Sequence, residues 1–336
     1  MSDKRLDEQT VDRRQFLKIT GAMAGLAGLG LPNINLDAVE AATFRASKGR
    51  IAFGQPDRSA SVYPVLLNGA KAEAQRRGYQ LLESFANSQA DKQVAEINTW
   101  IGEHINGMTI LPLDEKAMSA LIKKAHQNHV VFVSYSDRLP GVDGYTVFDS
   151  IQGGTLVGKW VGHWINQNLG GKAQVAALTA EFHQTGRQRI HNGIAGMQSV
   201  APGAKVVAKT EAVLAADALK ATSAILQAHP DVNVILCIAD DGCLGAEQAA
   251  REAGKDPKKM CIVGWDGSKP VMQKIITGKS AIKATGALDL TAIGASAVWV
   301  PANIIEKRGP RFYNSKYLLI NPSTKAVAQR LISAYP

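Results

Sequence analysis

From about Arg50 onward the chain repeats one unit, in which a short run of β-branched or apolar residues precedes an amphipathic stretch that ends near Gly or Asn. Such alternation is typical of a parallel sheet that is covered by helices on both faces. In the first half it predicts, in chain order, the elements Ile51–Gly54, Val62–Arg77, Gln80–Glu83, Lys92–His104, Met108–Leu111, Glu115–Asn128, Val130–Tyr135 and Tyr145–Phe148.

The second half repeats the same alternation of predicted helices and strands. Its elements are Leu156–Asn168, Gln174–Thr179, Gln188–Val200, Lys205–Lys209, Ala218–Ala228, Val232–Ala239, Leu244–Ala253, Cys261–Gly264, Pro270–Thr277 and Ala281–Thr285. We therefore predict an α/β protein with two Rossmann-like lobes. Ligands of such sheets bind at the carboxyl ends of the strands.

Composition narrows the classes of protein that remain. With 46% hydrophobic and 20% charged residues in 336, the chain can bury a core, which excludes a disordered or collagen-like protein. The formal charge of +9 is scattered in short pairs without interleaved aromatic residues, so we predict no nucleic-acid partner. Cys237, Cys243 and Cys261 lack zinc-ligand spacing, and we expect buried thiols and no metal or cofactor.

The N-terminus combines an arginine pair with a weakly apolar segment. Arg13-Arg14 precedes the weakly apolar stretch 19–31, which is too short to cross roughly 30 Å of hydrocarbon. Small residues then follow around Ala41, and no cysteine lies nearby for a lipid anchor. Residues 1–41 resemble a twin-arginine (Tat) signal peptide, which implies Tat-dependent export and a periplasmic location.

The sequence contains one candidate phosphate-binding motif. Residues 153–159 fit GxxxxGK, but Trp160 follows where a P-loop needs Ser or Thr for magnesium. Gly154, Gly158 and Gly162 recur every four residues, which predicts a helix face packed closely against a neighbour. Neither GxSxG nor HExxH occurs, and no GxGxxG follows a predicted strand, so we predict that the protein is not an enzyme.

Charged residues follow two of the predicted strands. Asp137-Arg138 comes after the run 130–133, and Asp266 comes after the run 261–265. A carboxylate accepts two hydroxyl protons and a guanidinium donates a planar fork, so together they suit a vicinal diol. The alternative is that these residues are ordinary loop charges or a structural ion pair.

Several short segments, taken in order, resemble the type I periplasmic binding proteins, specifically the ribose-binding-like proteins of sugar ABC importers. The resemblance covers nearly the whole chain after the leader. The matching segments are Ile51–Phe53, Asn68–Ala74 continuing to Tyr79, Ile110–Asp114, Ser136–Arg138, Gly153–Gly154, Ala228–Val232, Ala239–Gly242 and Val263–Gly267.

This resemblance implies a set of ligand-binding residues. Asp137, Arg138 and Asp266 occupy the positions of the sugar-hydroxyl ligands, and Tyr63 occupies that of an aromatic ring that stacks on the sugar. A further arginine is expected near Ile190. Arg189 is the predicted ligand there, one residue out of register, and the nearby Arg187 stays open as the alternative.

Five positions depart from the ribose pattern. Val213 replaces a second stacking ring, while Ala239 and Leu288 replace an asparagine and a glutamine. Pro56 and Ala60 replace small polar residues of the first loop. The changes remove hydrogen-bonding groups and one aromatic wall, which argues against ribose itself as the ligand.

The resemblance implies a first lobe of 43–149 plus 288–316 and a second of 150–287 plus 317–336. Crossings near Asp149, Leu288 and Tyr317 would form a hinge. The expected function is capture of a monosaccharide or small polyol by a monomer that delivers it to an ABC permease and its ATPase. An exported sugar-acting hydrolase and a binding protein that serves a chemoreceptor remain as alternatives. A LacI-type repressor is not an alternative, because the predicted leader occupies the place where such a protein has its DNA-binding domain.

Overall fold

The computed structural model describes residues 48–335, and the predicted Tat leader lies outside this range. Two six-stranded sheets, each covered by helices, form two lobes and confirm the predicted α/β fold. The first part of the chain forms β1 Arg50–Gln55, α1 Tyr63–Arg77, β2 Gln80–Phe85, α2 Ala90–Gly102, β3 Gly107–Ile110, α3 Glu115–Gln127, β4 Val131–Ser136 and β5 Gly144–Phe148.

The next elements build the second lobe. They are α4 Ser150–Leu169, β6 Lys172–Thr179, α5 Gln184–Val200, β7 Gly203–Glu211, α6 Ala215–Ala228, β8 Val232–Cys237, α7 Asp240–Glu252, β9 Cys261–Asp266, α8 Lys269–Thr277 and β10 Ile282–Ala287. The chain ends with α9 Leu290–Ile305, β11 Phe312–Ser315, β12 Leu318–Ile320 and α10 Lys325–Ile332.

The chain passes between the two sheets three times. The first sheet has the order β11-β5-β4-β3-β1-β2, and the second has the order β12-β10-β9-β8-β6-β7. The passages therefore follow β5, β10 and β11. Pairing is parallel throughout except for β12, which runs antiparallel to β10. The carboxyl ends of the central strands face the region between the lobes, where ligands of such sheets bind.

Local sequence explains where several elements begin and end. Asp114 accepts hydrogen bonds from the backbone N–H groups of Lys116 and Ala117 and so caps the N-terminus of α3. Gly78 ends α1 with φ of 77°, a left-handed conformation that glycine adopts without a steric penalty. Val131–Ser136 is buried on both faces, as expected for a strand beneath helices.

The three cysteines are free and buried in the second lobe, as predicted. Burial raises the pKa of the Cys243 and Cys261 thiols well above their usual values. Across residues 48–335, the helices are too short or too polar to cross a membrane.

Candidate functional site

A cavity of about 500 Å³ lies between the two lobes. Its walls come from the carboxyl ends of strands of both sheets and the segments that follow them, including the segment after β1, the ends of β4 and β9, and the segments after β6 and β8. This is where the strand ends of two parallel sheets converge. The volume lies within the range of about 300–1,000 Å³ that is usual for small-molecule sites.

Arg189 and Asp266 form a buried ion pair in this cavity. Arg189 is 5% exposed, and its Nη2 donates to Asp266 Oδ1 at 2.8 Å. The same guanidinium donates from Nε to Tyr317 Oη at 2.9 Å and from Nη1 to the carbonyl of Ile238 at 3.1 Å. Burial raises the pKa of Asp266 above its usual value, and Arg189 opposes that shift. Three hydrogen bonds therefore fix the guanidinium beside Asp266, and both residues line the cavity.

Close packing of α4 against α5 positions Arg189. A Cβ on Gly154 would lie 2.6 Å from the carbonyl oxygen of Arg189, and one on Gly158 would lie 2.1 Å from that of Gly193. Real Cβ atoms do not approach so closely, so these two positions require glycine. The predicted role of the glycine repeat in helix packing is confirmed, and the backbone of Arg189 is fixed by it.

Two buried tyrosines line the first lobe's side of the cavity. Tyr63 is 7% exposed and Tyr135 is 4% exposed. The Tyr135 ring packs edge-on against Phe53 and Phe148, with centroids 5.6 Å apart in each case, and the Tyr63 ring packs against Phe85. Among residues 48–335, neither tyrosine hydroxyl has a hydrogen-bond partner, so both remain available to a ligand.

Asp137 lies between the lobes but does not line the cavity. Its side chain is 1% exposed and accepts hydrogen bonds from the backbone N–H groups of Thr185, at 2.8 Å, and Gln184, at 3.3 Å. The adjacent Ser136 hydroxyl donates to Thr185 Oγ1 at 2.9 Å. A carboxylate of the first lobe therefore caps helix α5 of the second, where the helix dipole favours a negative charge.

Arg138 differs from its predicted position in the site. The side chain is exposed, and its Cζ lies 4.9 Å from the centre of the Tyr145 ring. Because the guanidinium stays in solvent and gains this contact with the ring, it avoids the cost of burial beside Arg189. Arg187 is likewise held elsewhere, by the carbonyl of Glu181 at 2.7 Å. Arg189 is thus the arginine that reaches the cavity.

The sequence argument missed Asp241, which also lines the cavity. Asp241 Oδ2 accepts a hydrogen bond from the backbone N–H of Ser61 in the first lobe at 3.0 Å, and burial raises the pKa of its carboxyl. The signal was present, since an acidic pair follows the buried strand β8 just as Asp266 ends β9.

Asp240, the other member of that pair, supports Asp266. Its Oδ2 accepts hydrogen bonds from the backbone N–H groups of Gly267 and Ser268 at 3.0 and 2.6 Å, and its Oδ1 accepts one from Thr285 at 2.7 Å. Asp266 has φ of 118°, which ordinary residues rarely adopt. The Asp240 carboxylate holds the turn that keeps Asp266 in this conformation.

Comparison with known proteins agrees with this arrangement. The sequence profile described as "Periplasmic binding protein domain" matches residues 51–309. The chain belongs to this family of periplasmic binding proteins. The ribose import binding protein RbsB of Bacillus subtilis (strain 168) is 26% identical over 244 residues, which is 71% of this chain and 76% of that protein.

Solved structures of periplasmic binding proteins share the fold. A solute-binding protein of an ABC transporter from Mycobacterium smegmatis, with bound glycerol, is 25% identical with a TM-score of 0.76, covering 83% of this chain and 96% of that one. A solute-binding protein from Actinobacillus succinogenes 130z, with bound D-allose, is 23% identical with a TM-score of 0.74, covering 83% and 100%.

Proposed function

We propose that the protein captures a monosaccharide or small polyol between its two lobes in the periplasm and delivers it to an ABC importer. The observation that carries the proposal is the buried Arg189–Asp266 pair, which lies in an interlobe cavity of a periplasmic binding protein. Relatives that import ribose, or that have bound glycerol or D-allose, support a polyhydroxylated ligand.

The chemistry of the cavity suits hydroxyl groups. Arg189 uses three of its five N–H donors within the protein, so two remain for ligand oxygens. The carboxylates of Asp266 and Asp241 accept hydroxyl protons, and the tyrosine hydroxyls can donate or accept. The rings of Tyr63 and Tyr135 offer apolar faces for the C–H groups of a sugar.

Four apolar residues of the cavity wall restrict the choice of ligand. Val213, Ala239, Pro56 and Ala60 all line the wall, and their side chains supply no hydrogen bonds. This supports the prediction that ribose itself is not the preferred ligand, because a ribose hydroxyl facing this wall would lose its hydrogen bonds to water without replacement.

Closure of the lobes would couple binding to transport. The chain passes between the sheets near Asp149, Leu288 and Tyr317, and a hinge there would let a ligand that touches both lobes favour the closed state. The ABC permease would recognise the closed surface of a monomeric binding protein, and its ATPase would power import. Tat-dependent export of the folded protein would place it in the periplasm.

A thermal-shift screen of the mature protein against tetritols, pentoses, pentitols, hexoses and inositols tests the proposal. A ligand at 100 times its dissociation constant should stabilise the protein by about 2.7 kcal/mol. X-ray scattering should then show a smaller radius of gyration with that ligand. Asp266→Asn should remove the stabilisation. Turnover of a bound sugar would instead favour an exported hydrolase, and the absence of any shift would overturn the proposal.

A further inference from the structure

The residues around the cavity carry an unbalanced charge, although the chain as a whole is basic. Five acidic residues line it, and within the described chain Arg189 is the one lysine or arginine that does so. Burial lowers the pKa of His183, another lining residue, so its ring is neutral at pH 7. The acidic residues are Asp57, Glu211, Asp217, Asp241 and Asp266.

The positive charge of Arg189 does not balance the negative charges of even the two more buried carboxylates, those of Asp241 and Asp266. Arg189 is paired with Asp266, while the partner of Asp241 is a neutral backbone N–H of Ser61. In the described part of the chain, no lysine or arginine lies within ion-pair distance of Asp241. Arg138 would have supplied a second positive charge, but its side chain is exposed outside the cavity. A neutral ligand would therefore bury the Asp241 carboxylate without a counter-charge, which is unfavourable.

The two tyrosines provide a separate indication of what the cavity accepts. Tyr63 and Tyr135 are both more than nine-tenths buried, line the cavity, and have hydroxyls without a partner among residues 48–335. A tyrosine hydroxyl accepts an N–H as readily as it donates, and the face of its ring attracts a cation. The first lobe therefore offers groups that tolerate a positive charge opposite the carboxylates of the second.

We propose that the ligand is a polyol or sugar that carries a protonated amine, with the ammonium group held by Asp241 and the hydroxyls held by Arg189 and Asp266. The proposal rests on the proposed function, because it refines the ligand of the same cavity. An ammonium donates three hydrogen bonds, so it can satisfy the Asp241 carboxylate and a tyrosine hydroxyl together.

Isothermal titration calorimetry at pH 7 with matched ligand pairs tests this inference on the unaltered protein. The pairs are D-glucosamine with D-glucose, D-galactosamine with D-galactose, and N-methyl-D-glucamine with sorbitol. In at least one pair the amine should bind at least about tenfold more tightly than its hydroxyl counterpart. The advantage should shrink as salt is added, because screening weakens the attraction of charges.

Asp241→Asn tests the residue that the inference assigns to the amine. The variant keeps an oxygen for the Ser61 N–H and removes the charge, so the amine should lose its advantage over its hydroxyl partner, and the affinity of the amine should fall more than that of the partner. Asp256→Asn removes one negative charge from an exposed residue of the second lobe outside the cavity and should leave the amine's advantage intact. If both variants reduce the amine's advantage equally, the preference reflects the overall charge of the protein and not a contact with Asp241. That result would overturn the inference.

The outcomes separate this inference from the proposed function. If neutral sugars or polyols bind and no amine binds more tightly than its counterpart, the amine assignment is overturned and the capture of a polyol stands. If neither the pairs nor the wider screen gives binding, both proposals fail. Because the pairs are compared on the unaltered protein, a folding defect in a variant cannot decide the result.

Discussion

β4 of the first sheet and β9 of the second occupy the same position in their sheets, and both end on a residue with positive φ, Ser136 at 72° and Asp266 at 118°. The strand ends are nevertheless used differently. Asp266 lines the cavity, whereas Asp137, the residue after Ser136, caps a helix of the opposite lobe. Ser136, the counterpart of Asp266, also lines the cavity, so the difference lies in the two carboxylates: that of Asp266 borders the cavity, and that of Asp137, one residue further along, contacts the opposite lobe.

The same division extends to the rest of the cavity. The first lobe contributes Tyr63, Tyr135 and Phe148, whereas the second contributes Arg189, Asp241 and most of the other charges. Buried charges need fixed partners. The second lobe supplies partners of Arg189, whereas Asp241 accepts a hydrogen bond from the Ser61 N–H of the first lobe. We infer that the second lobe selects the polar groups of the ligand, while the first lobe provides shape and holds the closed state.

The largest effect is expected from the second lobe. Asp266→Ala should weaken binding of the ligand found in the screen by about thirtyfold to several thousandfold, because it leaves the Arg189 guanidinium buried without its partner. Calorimetry measures the loss. Asp57→Ala is the control in the first lobe, since this half-buried carboxylate also lines the cavity. It should weaken ligand binding by less than about tenfold. If it weakens binding as much as Asp266→Ala does, the two lobes do not differ in their contribution to affinity.

An intermediate effect is expected at the contact between the lobes. Asp137→Ala removes a helix cap, which is typically worth about 0.5–2 kcal/mol, and because the cap joins two lobes the open state should gain population. Affinity should fall by about twofold to thirtyfold. X-ray scattering of the ligand-free variant should show a larger radius of gyration.

Asp114→Ala is the matched control for the change at Asp137. The Asp114 carboxylate caps α3 by accepting hydrogen bonds from two backbone N–H groups of its own lobe. Its loss should therefore lower the melting temperature and leave the radius of gyration and the ligand affinity unchanged. If both variants open the protein equally, Asp137 is not a contact that holds the lobes together.

The smallest effect is expected at Arg138. Arg138→Ala removes an exposed contact with the Tyr145 ring, worth about 0.5–1 kcal/mol of stability, and should leave ligand affinity within about twofold. Calorimetry beside the Asp266 variant provides the comparison. A tenfold or greater loss of affinity would return Arg138 to the ligand site and add a second positive charge to the cavity.

Sequence periodicity predicted the core of each strand and helix from β1 to β10, but it gave none of the elements from α9 to α10 and placed some helix starts too late. α4, α5 and α7 begin at Ser150, Gln184 and Asp240, each four to six residues before the predicted starts. Their first turns contain glycine and polar residues, so they lack the apolar spacing on which a helix prediction depends. Two of these turns make hydrogen bonds to the other lobe, through Thr185 in α5 and Asp241 in α7.

The candidate site was only partly predictable. Tyr63, Arg189 and Asp266 line the cavity, and their proximity followed from strand ends and from the resemblance. The directions of the Asp137 and Arg138 side chains depend on the left-handed turn at Ser136 and on the Tyr145 ring that Arg138 contacts. The local sequence specifies neither of these features. The structure separates two adjacent residues that sequence reasoning treated as one pair.

The burial of all three native thiols has a practical consequence for observing this protein at work. Buried thiols are inaccessible to reagents, so sulfhydryl reagents will react slowly with Cys237, Cys243 and Cys261 in the folded chain. Cysteines introduced at Ser88 and Asp217, exposed residues on either lobe at the edge of the cavity, would therefore take up fluorophores selectively. Energy transfer between the dyes would let individual opening and closing events be timed without removing any native residue from the core.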